Sequence, residues 1–176
     1  MDFARVAELI AAHLEREGAA LAVAGAFGLH AYGLSRATSD LDFVAEARVR
    51  EGVVDFLESL GYETLHASAG YSNHRHRDPA LGRVDFIYVD AATARRLLAK
   101  PGARLRLGSR DLPVPRPEHL AAMKVQAMKN DPGRTFQEMA DLRFLLQLPG
   151  IDEGEVRGYF ERAGLRERFD ELKRSL

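Results

Sequence analysis

The chain has 176 residues, 46% of them hydrophobic, and 25 Lys and Arg stand against 26 Asp and Glu for a formal net charge of −1. That is enough apolar material for one sizeable domain, or a domain with an appendage. It is too little positive charge for bulk capture of nucleic acid, although a local basic patch is compatible with it. The absence of cysteine excludes a disulfide framework, a thiolate metal site and a cysteine nucleophile.

Asp2 is placed to cap a first helix, with Phe3, Val6, Leu9, Ile10 and Leu14 at helical spacing and a stop at Gly18. The interleaved charges of this stretch do not fit a signal peptide. No apolar run approaches the roughly 20 residues of a membrane span, so the expectation is a soluble cytoplasmic protein with no membrane partner. "ALAVA" (20–24) reads as a short buried strand broken by Gly25, and "AFGLHAY" as a brief helix ending at Gly33. "LDFVA" (41–45) is a second strand, residues 49–60 an amphipathic helix closed by Gly61, and residues 62–67 a strand. Residues 68–83, "SAGYSNHRHRDPALGR", read as a polar loop, in which His74 and His76 are solvated rather than metal-bound. "VDFIYVD" (84–90) is mostly apolar and is expected centrally in a sheet, with Asp90 capping the helix that follows. That helix runs to the Pro-Gly at 101–102, and residues 103–115 form a hairpin through Gly108 and Ser109.

The character then changes. Pro117 opens a helix, "DPGR" (131–134) is a turn, and helices over 135–148, 152–163 and 165–175 complete the chain. In this region Phe136, Leu142, Leu145 and Leu146 read as one core stripe, and Arg134 and Asp141 as an ion pair between helices. Lys124 lies along an apolar stripe, where its stem snorkels or its ammonium reaches a triphosphate. The reading is an α/β portion over 1–115 and a helical portion over 116–176 packed on it.

"GAFGLHAYGLSRATSDLDF" (25–43) carries the chemistry. In a strand, residues i and i+2 share a face, so Asp40 and Asp42 project together. Two carboxylates so close repel one another unless a proton or cation intervenes, and an oxygen-only pair suits Mg²⁺. Asp85 sits between apolar neighbours, where an ionised carboxylate is costly unless paired or metal-bound. A strand, Gly25 and a helix start together present backbone N–H groups to an anion. A phosphate cradle, two carboxylates on one strand and a third on another are the apparatus of in-line phosphoryl or nucleotidyl transfer with two metal ions.

These residues resemble the signature of the DNA polymerase β-like nucleotidyltransferase superfamily, most nearly its AbiEii-type and other minimal members from bacterial toxin–antitoxin systems. Gly25, Gly33, Arg36, Thr38, Asp40 and Asp42 match the glycine, Arg-x-Thr and Asp-x-Asp positions. Asp85 matches the third carboxylate, and Lys124, Arg134 and Asp141 match the helical region beyond the sheet. Ala26 stands where relatives carry Gly or Ser, which removes a hydroxyl but keeps the backbone N–H.

The resemblance implies an α+β polymerase β-type fold, a mixed sheet flanked by helices with a C-terminal helical portion. It also implies NMP transfer from an NTP, such as ATP, to an acceptor hydroxyl. Asp40, Asp42 and Asp85 would hold two Mg²⁺, with Asp85 also the base on the acceptor. Gly25, Ala26, Arg36, Thr38 and Lys124 would bind nucleotide. The acceptor would be macromolecular, a tRNA end or a cognate toxin or antitoxin protein, met by Arg75, Arg77 and Arg83 of the 68–83 segment, which only Asp78 opposes. Two alternatives stay open: transfer to a small molecule of the aminoglycoside kind, and a degenerate nucleotide-binding antitoxin module.

Overall fold

A computed structural model describes all 176 residues, which form two compact units, Met1–Pro115 and Arg116–Leu176. In the first, α1 (Phe3–Arg16) is capped by the Asp2 carboxylate, which accepts the Arg5 N–H at 3.0 Å, and buries Val6, Ala7, Ile10, Ala11 and Leu14. There follow β1 (Leu21–Val23), the short α2 (Gly25–His30), β2 (Asp40–Glu46), α3 (Arg50–Ser59), β3 (Tyr62–Ala67), β4 (Tyr71–His76) and β5 (Arg83–Val89). The five strands form one sheet in the order β1-β2-β5-β4-β3, with β2 and β5 parallel and the other neighbours antiparallel. The apolar β5 is central, as its composition requires. Helix α4 (Ala91–Ala99) starts on the Asp90 cap, and β6 (Ala103–Leu107) and β7 (Arg110–Val114) form a separate hairpin.

Within residues 68–83, the stretch from Tyr71 to His76 is not a loop. The alternation Tyr71-Ser72-Asn73-His74-Arg75-His76 has the period of a strand, and β4 pairs on both sides, with β3 and β5. Its apolar content is low because polar partners satisfy both of its faces. On the core face His74 is fully buried rather than solvated. Thr64 donates its hydroxyl proton to Glu58 at 2.7 Å, so its oxygen accepts from His74 Nδ1–H at 3.1 Å. His74 Nε2 then accepts from Ser72 at 2.8 Å, and Ser72 accepts from Tyr88 at 2.9 Å. A neutral imidazole protonated at Nδ1 fits this chain. Burial accordingly holds His74 below the usual histidine range, against the opposing pull of Glu58.

In the second unit, α5 (Pro117–Asn130) has Pro117 in its first turn, and a short 3₁₀ turn (Pro132–Arg134) leads into α6 (Thr135–Leu146). The Asp152 carboxylate caps α7 (Glu153–Ala163), the left-handed Gly164 ends it, and α8 (Arg166–Ser175) closes the chain. Leu142, Leu145 and Leu146 are buried, but Phe136 is 90% exposed. The reason is rotational: at about 100° per residue Phe136 lies opposite Leu145 on the helix. The expected Arg134–Asp141 pairing is also redrawn. Lys124, itself buried, meets Asp141 at 2.5 Å and Glu138 at 3.0 Å, while Arg134 meets Glu138 at 2.8 Å.

Candidate active site

Parallel pairing of β2 with β5 puts Asp40 beside Arg83 and Asp42 beside Asp85. Register partners point to the same side, so Asp40, Asp42, Arg83 and Asp85 share one face of the sheet. Leu41, Phe43, Val84 and Phe86 occupy the other face and are buried in the core. The alternation thus anchors the strands from below and leaves carboxylates on the open side. The next rung continues across β4, where Asn73 is the partner of Asp85.

Gly25 has φ +55°, and a Cβ built on it would stand 2.5 Å from Asp42 Cγ and closer still to Oδ2. The Ala24 N–H donates to the Asp42 carbonyl at 2.9 Å, fixing the start of α2 against β2. Only glycine lets this backbone lie against the Asp42 carboxylate. The Ala26 methyl is buried. Ahead of β2, the Thr38 hydroxyl donates to the Asp40 carboxylate, and His30 Nε2–H donates to the Arg36 carbonyl at 3.0 Å. The Arg-x-Thr segment is therefore tied both to α2 and to the first carboxylate.

Asp85 is buried, with Oδ2 accepting from the Tyr71 hydroxyl at 2.7 Å and Oδ1 from Asn73 Nδ2 at 2.5 Å. Burial pushes its carboxyl above the usual range. The Tyr71 hydrogen bond and Arg83, 3.9 Å away, pull it down, and the charge of Asp40 pushes it up again. Burial and the bond to Asp85 likewise raise the Tyr71 phenol far above its ordinary value, and the Asp42 charge adds to this. Tyr71 and Asn73 escaped sequence reading because their segment read as a loop. The signal was the period-2 alternation of β4, with Tyr71, Asn73 and Arg75 on one face.

No three His, Asp or Glu side chains are gathered tightly enough to cage a metal ion. Both oxygens of Asp85 accept from neutral donors, Tyr71 and Asn73. The donor chemistry nonetheless fits Mg²⁺, which takes one or two carboxylates and completes its shell with water and substrate phosphates. Asp40 and Asp42, on one face and oxygen-only, are such a pair.

Of the three arginines expected to meet the acceptor, Arg75 lies in β4 and Arg83 at the start of β5, while Arg77 is exposed in the turn after β4. Asp78 is not their only counter-charge: Arg75 lies 3.6 Å from Glu63 and Arg83 lies 3.9 Å from Asp85. In the helical unit, Lys124 is held in the ion cluster already described.

No family model and no curated protein matches the sequence. Solved structures do match it. The antibiotic-resistance factor ANT(2'')-Ia superposes with a TM-score of 0.64 at 14% identity, over 98% of this chain and 95% of its own. The fold is a nucleotidyltransferase fold. The lincosamide antibiotic adenylyltransferase LnuA shares it with a TM-score of 0.54 at 16% identity, over 81% of this chain and 96% of its own. An antigenic nucleotidyltransferase-like protein from Paracoccidioides brasiliensis shares it with a TM-score of 0.56 at 15% identity, over 96% and 92%. Within this nucleotidyltransferase fold, Gly25, Asp40, Asp42 and Asp85 meet at one end of the parallel β2–β5 pair. No helix of the chain is long and apolar enough to cross a membrane.

Proposed function

We propose that the protein is an NTP-dependent nucleotidyltransferase that moves an NMP to an acceptor hydroxyl and releases pyrophosphate. The observation that carries this reading is the shared face of Asp40, Asp42 and Asp85, with the backbone of Gly25 laid against Asp42. Asp40 and Asp42 would hold Mg²⁺, which when bound neutralises phosphate charge and polarises the reacting phosphorus. The first N–H groups of a helix have no intrahelical partners, so those of Gly25 and Ala26 are available to phosphate oxygens. Arg36, tethered through His30, is placed on the same segment as Asp40 and supplies positive charge.

Asp85 accepts the proton of the acceptor hydroxyl. A carboxylate raised by burial is a stronger base than an exposed one, and its hydrogen bonds from Tyr71 and Asn73 fix its orientation. The acceptor is read as macromolecular, a tRNA end or a cognate protein, in a toxin–antitoxin setting of the AbiEii kind. Arg75 and Arg83 beside the carboxylates support this, because cations at that position repel a polycationic acceptor. The second reading is transfer to an antibiotic. It is favoured by the full-length likeness to ANT(2'')-Ia, which has been seen with adenylyl-2''-tobramycin.

The test is incubation with each α-labelled NTP and Mg²⁺, with bacterial RNA, bacterial protein or an aminoglycoside and lincosamide panel as acceptor. Label on RNA or protein is expected. Label on an antibiotic selects the second reading, and no label with any NTP refutes the transferase.

A further inference from the structure

The first rung across the carboxylate face reads Asp40, Arg83, Arg75, Glu63, each the register partner of the next. Two arginines are thus direct register partners on adjacent strands, an arrangement that like-charge repulsion disfavours. Their counter-charges are loose. Arg83 Nη2 lies 3.9 Å from Asp85 and Arg75 Nη2 lies 3.6 Å from Glu63, both beyond hydrogen-bond distance. Arg83 Nε is buried and has no hydrogen-bond partner. A buried donor without an acceptor is a standing cost that an incoming oxygen removes.

A cavity of about 430 Å³ opens at this spot, with Arg75, Arg83, His76, Thr38, Ser39 and Phe3 in its lining. Its volume is that of a ligand site. It adjoins the segment that leads into Asp40. Gly25 approaches the carboxylates through Asp42 on β2, which lies next to β1, whereas the two arginines lie on the β5–β4 side. Asp85 sits between. A nucleotide held at Gly25 and an anion held at the arginines therefore flank the carboxylates from opposite sides.

We propose that this cavity is an anion subsite that takes a phosphate group carried by the acceptor. The word acceptor rests on the nucleotidyl-transfer reading, but the anion site does not. Two planar guanidinium forks facing one cavity suit the several oxygens of a phosphate, which accept bidentate hydrogen bonds. The site orients the acceptor so that a hydroxyl neighbouring that phosphate meets Asp85.

Binding is read without nucleotide, metal or turnover. The ¹⁵N-labelled protein is titrated with inorganic phosphate, then with a trinucleotide, and then with a nucleoside, which carries no phosphate. The Arg83 Nε–H resonance is expected to move saturably with phosphate and with the trinucleotide, and not with the nucleoside. Arg75→Ala with Arg83→Ala should weaken phosphate binding at least tenfold, the effect of losing one or more charged hydrogen bonds. Affinity for ATP with Mg²⁺ should change by less than about twofold, since the contacts removed are not nucleotide contacts.

Tighter binding of the trinucleotide than of inorganic phosphate assigns the group to a strand. Equal binding assigns it to a small phosphorylated acceptor. Arg75→Ala alone, at an exposed position, repeats the measurement if the double variant does not fold. An unmoved Arg83 resonance, or a parallel loss of ATP affinity, overturns the proposal. A phosphate response in a protein that transfers no nucleotide would leave the anion site standing and remove the transferase reading. Transfer without a phosphate response would do the reverse.

Discussion

Replacing Gly25 by alanine separates two effects that the structure superimposes. Gly25 has φ +55°, where an L side chain costs about 1–2 kcal/mol. Gly18 has nearly the same φ, +58°, with nothing within 4 Å of a built Cβ. Gly18→Ala therefore measures the backbone cost alone. At Gly25 the new methyl also falls 2.9 Å from Asp42 Cβ and 2.5 Å from its Cγ, so rotating the carboxylate away does not clear it and the β2 backbone must shift. Overpacking of that kind adds about 1–3 kcal/mol. A displacement of about 1 Å at a reacting group costs on the order of 10²-fold in rate. Urea denaturation of both variants, alone and with Asp42→Gly, gives the comparison, alongside Mg²⁺-dependent NTP binding. Gly25→Ala should be the more destabilising by about 1–3 kcal/mol, and the excess should vanish in the Asp42→Gly background. Equal cost at the two glycines, or an excess that survives Asp42→Gly, refutes the close packing of Gly25 on Asp42.

Asp42→Asn should abolish metal-dependent NTP binding, measured by calorimetry, while leaving the circular dichroism spectrum intact, and full transfer activity in this variant would overturn its role as a metal ligand. Because His74 titrates lower in the folded chain than its ordinary 6.5, the unfolded chain binds the extra proton first as pH falls. Its contribution to stability is therefore complete above about 6.5 and is lost below it, with a slope of up to about 1.4 kcal/mol per pH unit. Denaturation midpoints across pH should show this slope in the wild type and lose it in His74→Gln. Lys124→Ala should cost about 3–5 kcal/mol, because it removes one member of the buried ion cluster that joins Lys124 to Glu138 and Asp141. A loss below about 1 kcal/mol would show that the ion cluster is not structural, and NTP titration of the same variant tests the triphosphate contact.

The layout of the candidate site was legible in the sequence wherever it depended on local spacing. Asp40 and Asp42 share a face because a strand repeats every two residues, whatever it packs against. Gly25 announced a backbone that must approach something, and Asp85 announced a carboxylate too apolar in its surroundings to be idle. Asp2, Asp90 and Pro117 marked helix starts because capping is satisfied within a few residues. The tertiary structure alone decided what lies across the strands. Residues 68–83 looked like a loop because their polarity, taken locally, promised no burial. Pairing with β3 and β5 supplied partners for both faces, turning His74 into a core residue and Tyr71 and Asn73 into ligands of Asp85. Likewise only the register sets Arg75 against Arg83 and Asp42 against Asp85, and only the packing of α5 and α6 gives Asp141 to Lys124. Periodicity is a property of one segment, whereas register and pairing are properties of two. A single strand's sequence does not specify its partner, since the same hydrogen bonds are offered along every edge.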